Sequence, residues 1–186
     1  MAKYVALLRG INVTGRHKVA MSDLRQVATN LGFTKVTTYI QSGNLIFSSK
    51  GTASELEVHL EEALGSQFGF AIPVIIRSKP QWLAYAKSTP FPDAQQLRPQ
   101  VLLLAVCKMS IPRGAVELLM ARASLGERVA QGKEALWIDF LGGSGRSKLN
   151  PSVLDRVCGG PVTTRNWRTV QAIAQLLTEV SVPSKV

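Results

Sequence analysis

Apolar residues along the chain follow two different periods, which predict short strands alternating with helices. Continuous or alternating apolar runs bounded by turn residues are typical of strands. In the first half these runs predict strands at 3–8, 36–40, 44–49 and 73–77. The second and third of these strands are predicted to form a hairpin, because the tight-turn residues Ser42 and Gly43 separate them.

Apolar residues spaced three and four positions apart predict two helices between these strands. The first helix is predicted to begin at the N-cap Ser22 and to end at Gly32. The second is predicted to begin at a capping box made by Ser54 and Glu57. With a short helix over about 80–87, the first half has the order β-α-β-β-α-β plus a helix.

The same order recurs after a proline-rich stretch. Strands are predicted at 100–107, 127–131, 134–140 and 161–164, and helices at about 112–123, from Asn150 onward and at 166–179. The sequence therefore predicts an α+β fold of two ferredoxin-like halves in tandem, although the halves share no obvious residue identity. We assign the N-terminal half to 1–88, a linker to 89–99 and the C-terminal half to 100–186.

This topology predicts where the polar loops meet. In a ferredoxin-like sheet with strand order 4-1-3-2, the first and second strands end at one edge and the third and fourth at the other. We hypothesise that the first half binds a ligand at one such edge, through Arg9, Gly10, Asn12, Arg16, His17, Lys18, Gln41, Ser42 and Asn44. The second half has a corresponding group after its third and fourth strands, formed by Arg146, Lys148, Arg165, Asn166 and Arg168.

The charge balance favours anionic partners. The chain has 22 Lys and Arg against 12 Asp and Glu, a formal net charge of +10, which attracts anionic small molecules, nucleotides or nucleic acid. A basic surface that is merely solvated is the alternative. The longest strongly apolar run, 101–107, is too short to cross a bilayer, and the N-terminus lacks a signal-peptide pattern. We therefore expect a cytoplasmic protein without a membrane partner.

Four cations are predicted to surround helix starts in the second half. Arg146 and Lys148 precede one helix, whereas Arg165 and Arg168 flank the start of another. A cation at a helix N-terminus opposes the helix dipole and costs about 0.3–1 kcal/mol. A compensating negative group is therefore expected, either a carboxylate such as Asp139 or Asp155, or a bound phosphate or carboxylate.

The sequence offers few residues for catalysis or metal binding. Cys107 and Cys158 lack zinc-ligand spacing and are expected to be reduced structural thiols. His17, between two cations, is either a general base or a loop residue without function, and His59 is expected on a helix surface. The stretch after 140 lacks the second glycine and the hydroxyl of a P-loop, so we expect neither a cofactor nor a metal.

The stretches YVALLRGINVTGRHKVAMSDLR and TYIQSGNLIF, followed by GRSKL and TTRNWRTV, resemble a bacterial family of conserved hypothetical proteins, domain of unknown function 1697. The residues that carry the resemblance are Arg9, Gly10, Asn12, Gln41, Ser42, Gly43, Asn44, Arg146, Lys148, Arg165, Asn166, Trp167 and Arg168. The chain departs from many members at Thr14, where they have glycine. The resemblance implies an α+β fold with ferredoxin-like parts and no established activity.

Three functions are compatible with these observations. The first is binding of an anionic ligand, a nucleotide or nucleic-acid phosphate, through the basic loop edges. The second is a small hydrolase similar to acylphosphatases, in which Arg9 or Arg16 holds the phosphate and Asn44 or Asn12 positions water. The third is an interaction module with an acidic protein partner. The sequence does not decide whether the protein is an enzyme.

Overall fold

Two four-stranded antiparallel sheets, each with its own helices, make up the protein. The computed structural model describes residues 1–13 and 15–179, so Thr14 and the end of the predicted C-terminal half lie outside the described residues. The first half contains β1 (Ala2–Leu8), α1 (Met21–Asn30), β2 (Thr34–Tyr39), β3 (Asn44–Ser49), α2 (Ala53–Phe68) and β4 (Val74–Ser78). Its strands lie in the order β2-β3-β1-β4.

The rest of the chain repeats this arrangement. It contains α3 (Lys79–Lys87), α4 (Pro92–Leu97), β5 (Leu102–Cys107), α5 (Ala115–Met120), β6 (Arg128–Gly132), β7 (Ala135–Asp139), α6 (Pro151–Cys158), β8 (Val162–Asn166) and α7 (Trp167–Thr178). The strand order is β6-β7-β5-β8. Both sheets have the ferredoxin-like order, so the predicted α+β fold of two tandem halves is confirmed.

The chain forms two compact units. The first comprises Met1–Trp82 together with 172–179, and the second comprises Leu83–Gln171. The end of α7 belongs to the first unit, where Lys3 Nζ donates hydrogen bonds to the carbonyls of Leu177 and Glu179 at 3.2 and 2.7 Å. The predicted linker 89–99 contains the helix α4. The predicted bounds of the two halves, 1–88 and 100–186, stay a prediction.

The core of each unit follows from the period of its elements. Alternate residues of β1 and β3 face α1 and α2, and Phe33 stacks on Phe47 with ring centroids 4.3 Å apart. In the second unit, Cys107 and Cys158 are part of the corresponding core, each 1% exposed. The Cys107 thiol hydrogen-bonds to Cys158, which lowers the pKa of the Cys158 thiol.

Two predicted helix caps are wrong. Ala20 occupies the N-cap of α1 without a side-chain hydrogen bond, and the Ser22 hydroxyl donates to Asp23 instead. The capping box of α2 is formed by Thr52 and Glu55, two residues before the predicted pair. The predicted cap Asn150 is confirmed at the start of α6, where its Oδ1 accepts from the Val153 N–H at 3.1 Å.

Acidic side chains of the second helix in each half bind the exposed edge of the sheet. Glu57 and Glu61 of α2 accept hydrogen bonds from the N–H groups of Ile76 and Val74, both at 2.7 Å. Asp155 of α6 accepts from the Val162 N–H at 3.0 Å. Because β4 and β8 are edge strands, these carboxylates occupy donors that would otherwise be open to pairing with another chain.

Candidate functional site

The opening loop (residues 9–20) and the QSGN turn (residues 41–44) lie at the same edge of the first sheet. Asn12 Nδ2 donates to the Gln41 carbonyl at 2.9 Å, and the Leu8 N–H donates to the Gly43 carbonyl at 2.8 Å. Strands β1 and β2 are both antiparallel to β3 and therefore end at the same edge. The predicted meeting of these two segments is confirmed.

The side-chain amide of Asn12 closes the opening loop. Its Nδ2 donates to the Val19 carbonyl at 3.0 Å as well as to Gln41, and its Oδ1 accepts from the Val19 N–H at 2.9 Å. Its backbone φ of 55° lies in the left-handed region, which asparagine tolerates better than most residues. Both amide hydrogens are used within the protein, so Asn12 has only a lone pair of Oδ1 left for a ligand.

Asn44 and Gly43 also have structural roles. Asn44 is fully buried, and its Nδ2 donates to the Tyr39 carbonyl and the Ser42 hydroxyl, both at 3.0 Å. Gly43 has a φ of 73°, and a Cβ there would lie 2.7 Å from Ile11 Cδ1. The turn therefore requires glycine where the opening loop packs against it.

His17 packs back onto the protein. Its ring stacks on Phe70 with centroids 4.5 Å apart and an interplanar angle of 25°. Its Nδ1 lies 3.2 Å from the Gly10 carbonyl. A carbonyl oxygen only accepts, so Nδ1 carries the hydrogen in this contact. The packing and the hydrogen bond give His17 a role in holding the loop.

An open depression of about 500 Å³ lies where the opening loop enters α1. It is lined by Asn12, Lys18, Val19, Ala20, Met21, Ser22 and Gln41. The first turn of α1, which has no side-chain cap, therefore meets an exposed lysine here. Asp23 is the acidic residue of that turn, and its Oδ1 accepts from the Ser22 hydroxyl at 3.1 Å.

Arg16 and Arg9 complete the charged groups of this edge. Arg16 is exposed, and Arg9 is half-buried at the end of β1. The Arg9 N–H donates to the Pro73 carbonyl at 3.0 Å, which fixes the backbone where the loop begins. The cationic side chains of this edge therefore belong to a loop whose backbone is held by hydrogen bonds where it leaves β1.

One residue of the group predicted in the second half, Arg165, does not lie in a loop. Arg165 lies inside β8, which continues to Asn166 rather than ending at Thr164. The Arg165 side chain is buried and donates to Thr163 Oγ1 at 2.9 Å and to the Thr164 carbonyl at 2.8 Å. Burial lowers the pKa of Arg165 to about 10. The expectation that Arg165 lies in a loop before a helix is therefore wrong.

The residues that follow Arg165 begin the last helix. Asn166 Oδ1 accepts from the Thr169 N–H at 2.9 Å and so caps the first turn of α7. Arg168 is exposed in that turn. Arg168 therefore presents its charge at the surface, whereas the neutral side chain of Asn166 caps the helix.

Arg146 and Lys148 lie in the loop before α6, on either side of a buried serine. Ser147 donates to the Glu127 carboxylate in a short hydrogen bond, and its Oγ accepts from the Leu149 N–H at 3.0 Å. The hydrogen bond from Ser147 is the main reason that the pKa of Glu127 lies below its usual value. Arg146 and Lys148 are both exposed on this anchored loop.

Comparisons with known proteins identify a family and a solved structure that match this chain. A family model described as protein of unknown function (DUF1697) matches residues 1–137. The chain belongs to this family. A solved structure, the conserved bacterial protein SP0830 from Streptococcus pneumoniae, is similar with a TM-score of 0.74 and 26% sequence identity over 95% of this chain and 99% of that chain. No curated protein matches.

The matched part of this DUF1697 protein includes the opening loop and the QSGN turn, and it ends before Arg146. Among residues 1–13 and 15–179, none of the helices combines the length and the apolar character that crossing a bilayer requires. In the same residues, no three His, Cys, Asp or Glu side chains are grouped as metal ligands would be.

A cluster that the sequence did not reveal connects α4 with the second sheet. Asp139 is fully buried and accepts from Arg98 Nη2 at 2.7 Å and from Arg128 Nη2 at 2.6 Å. Asp93 of α4 binds the same two guanidinium groups, each at 2.8 Å. Arg128 also lies 4.6 Å above the Phe91 ring. Asp139 was a candidate partner for the four cations near helix starts, but it binds these two arginines.

We expect Asn12→Ala to lower the free energy of unfolding by about 2 kcal/mol, because it removes three partly exposed hydrogen bonds worth about 0.5 kcal/mol each and leaves a φ of 55° on alanine. Urea denaturation followed by circular dichroism measures the loss. Asn12→Gly relieves the backbone strain but not the loss of hydrogen bonds, so its stability should lie between those of Asn12→Ala and the wild type. Wild-type stability in both variants would contradict the role given to the amide.

Proposed function

We propose that the edge formed by the opening loop and the QSGN turn binds the phosphate group of an anionic ligand, either a nucleotide or a nucleic acid. The observation that carries this proposal is the depression of about 500 Å³ lined by Lys18, Gln41 and the uncapped first turn of α1. The N–H groups of a first helical turn have no intrahelical acceptors and attract anions. An adjacent ammonium group adds a charge-assisted hydrogen bond.

The fixed base of the loop supports this proposal. Asn12 ties the loop to the QSGN turn, and Ile11 packs against Gly43. A site held in place before binding loses less conformational entropy when the ligand arrives. The net charge of +10 adds a long-range attraction for anions.

The acylphosphatase-like alternative has less support. Its water-positioning candidates were Asn12 and Asn44, and the Nδ2 groups of both donate to partners within the protein. An interaction module would use the same exposed cations for an acidic peptide. We therefore place phosphate binding first and treat the acidic peptide as an alternative result of the test.

The test is a titration of ¹⁵N-labelled protein with AMP, inorganic phosphate and a short acidic peptide. We expect AMP to shift the amide signals of Met21 and Ser22 in a saturable way. Lys18→Gln should weaken this binding about 3- to 10-fold, the effect of losing one charge-assisted hydrogen bond. Lys50→Gln is the matched control, because Lys50 is exposed after β3, at the opposite edge of the sheet.

Three results would count against the proposal. The first is an absence of saturable shifts in the first turn of α1 with either phosphate ligand. The second is equal weakening by Lys18→Gln and Lys50→Gln, which would indicate general attraction by the net charge. The third is binding of the acidic peptide without binding of AMP, which would favour the interaction module.

A further inference from the structure

The second unit contains a cavity that none of the predicted site residues lines. Its volume is about 540 Å³, and it lies within Leu83–Gln171. The residues that line it come from two stretches of the chain and are Ala84, Tyr85, Lys87, Ser88, Thr89 and Pro90, with Gln131, Gly132, Lys133 and Trp137. The first stretch is the end of α3 with the residues after it, and the second is the turn between β6 and β7 with the start of β7. The volume falls within the range of about 300–1,000 Å³ that is typical of small-molecule sites.

The indole of Trp137 presents a free donor to this cavity. Trp137 is 2% exposed, and its Nε1 and Cδ1 atoms lie next to Gly132, where a Cβ would be 3.5 Å from both. No residue in 1–13 or 15–179 accepts a hydrogen bond from this Nε1, and no fully buried side-chain nitrogen or oxygen in these ranges lacks a partner. The Nε1 atom is therefore partly accessible, and because Trp137 lines the cavity, this N–H can donate to a ligand there.

Two ammonium groups lie at the same cavity. Lys87 is the last residue of α3, and Lys133 follows β6. Both are exposed, and within the described part of the chain neither has a hydrogen bond or an ion pair. None of the residues that line the cavity is acidic. The lining residues therefore carry two positive charges and no negative one, and Glu134, the exposed residue after Lys133, is not among them.

Two hydroxyl groups add further donors to the cavity. Ser88 and Thr89 line the cavity, and Thr89 Oγ1 accepts from the Phe91 N–H at 3.2 Å, which leaves its hydroxyl hydrogen for another partner. Ala84 and Pro90 provide apolar wall. The cavity thus combines several donors and two positive charges with an apolar surface.

We propose that this cavity binds a small organic phosphate, whose phosphate oxygens are held by Lys87, Lys133 and the indole N–H of Trp137. A phosphate monoester carries close to two negative charges and three acceptor oxygens, which match two ammonium groups and further donors better than one carboxylate does. The cavity is much larger than a phosphate group, so the organic part of the ligand lies against Ala84 and Pro90. This site is separate from the opening loop and does not depend on the function proposed there.

The experiment uses the indole signals of the ¹⁵N-labelled full chain. The sequence has three tryptophans, so three indole N–H signals are expected, and Trp137→Phe identifies one of them by its loss. The probes are AMP, phenyl phosphate, adenosine and inorganic phosphate. We expect AMP and phenyl phosphate to shift the Trp137 signal in a saturable way, adenosine to leave it unchanged, and inorganic phosphate to bind at least 5-fold more weakly, roughly the gain from an apolar contact.

The variant Lys87→Gln/Lys133→Gln should weaken binding of AMP at this signal about 10-fold or more. Arg113→Gln/Arg156→Gln removes the same charge from exposed positions of the same unit and should leave the affinity within about 2-fold. Lys18→Gln should not change the Trp137 titration, which separates this result from the test of the opening loop. The proposal is overturned if neither organic phosphate shifts the Trp137 signal, if adenosine shifts it equally, or if both double variants weaken binding alike.

Discussion

We expect the Asp139→Asn variant to unfold with a free energy about 3 kcal/mol lower than that of the wild type. The Asp139 carboxylate is fully buried and accepts from Arg98 and Arg128 at 2.7 and 2.6 Å. Asparagine keeps the size of the side chain but removes its negative charge and turns one acceptor into a donor. The two guanidinium groups then lose their main buried acceptor, which costs more than loss of a surface pair.

Asp93→Asn is the matched control, because Asp93 binds the same two arginines from a half-exposed position. Exposed ion pairs contribute little, so this variant should lose much less stability than Asp139→Asn. Urea denaturation followed by circular dichroism compares the two. Similar losses in both variants would show that the burial of Asp139 does not determine the strength of the cluster.

The same cluster should make stability depend on acid. The hydrogen bond from Arg128 is the main cause that lowers the pKa of Asp93 to about 2. Burial raises the pKa of Asp139, but the hydrogen bonds from Arg98 and Arg128 together outweigh it and the pKa lies below its usual value. A carboxyl group with a lowered pKa in the folded state stabilises the fold above about pH 4 and loses this contribution as the pH falls through its folded pKa, which is about 2 for Asp93. Asp139→Asn should therefore show a smaller loss of stability over that interval than the wild type.

Gly43→Ala should lower the free energy of unfolding by about 3 kcal/mol. The new Cβ would lie 2.7 Å from Ile11 Cδ1 and 2.8 Å from Leu8 Cβ, and the φ of 73° is unfavourable for alanine. Leu8 Cβ is fixed by β1, so the overlap cannot be relieved by rotating a side chain. The loop must move away from the turn, which also disturbs the hydrogen bond between Asn12 and Gln41.

Gly10→Ala separates the two causes of this loss. Gly10 has a similar φ of 71°, but no atom lies within 4 Å of the position that its Cβ would take. This control therefore measures the backbone cost alone, about 1 kcal/mol. If Gly10→Ala and Gly43→Ala destabilise the protein equally, the contact between the opening loop and the QSGN turn contributes no steric constraint.

The periodicity of apolar residues predicts the order of the strands, and of the helices other than α4, together with the edge at which the opening loop meets the QSGN turn; α4 lies in the stretch that the prolines indicate as a linker. Helix starts were less accurate, because Thr52-x-x-Glu55 and Ser54-x-x-Glu57 are overlapping versions of one capping pattern. The choice between them depends on tertiary structure, since the Glu57 side chain binds the Ile76 N–H of β4. A local pattern contains no information about that contact.

Two other features depend on residues that are distant in sequence. Arg165 was placed in a loop because polar residues surround it, but pairing with Leu104 of β5 extends the strand past it. Asp139 is one of two candidate carboxylates that the sequence offers to the four cations near helix starts, whereas one of its partners in the structure, Arg98, lies 41 residues away. In both cases the position of a charged side chain was determined by strand pairing, which periodicity alone does not reveal.

The relation between the two halves was also hidden from a comparison of residue identities. Glu57 and Glu61 bind the edge strand of the first sheet, and Asp155 binds the edge strand of the second. The role is the same in both halves, but the residue type and the number of carboxylates differ. Such a repeat is recognised because carboxylates of the second helix accept hydrogen bonds from edge-strand N–H groups in both halves. It does not require sequence identity between the halves.

The placement of both cysteines has a practical consequence for measuring the dynamics of this protein. The chain has two cysteines, Cys107 and Cys158, and both lie in the core of the second unit with 1% of their surface exposed. A thiol reagent reaches them only when that core opens, so the rate of labelling under native conditions measures the opening free energy of the second unit. The first unit has no cysteine and does not react with the reagent. Labelling of the natural sequence therefore reports local unfolding of the second unit alone, without an engineered cysteine.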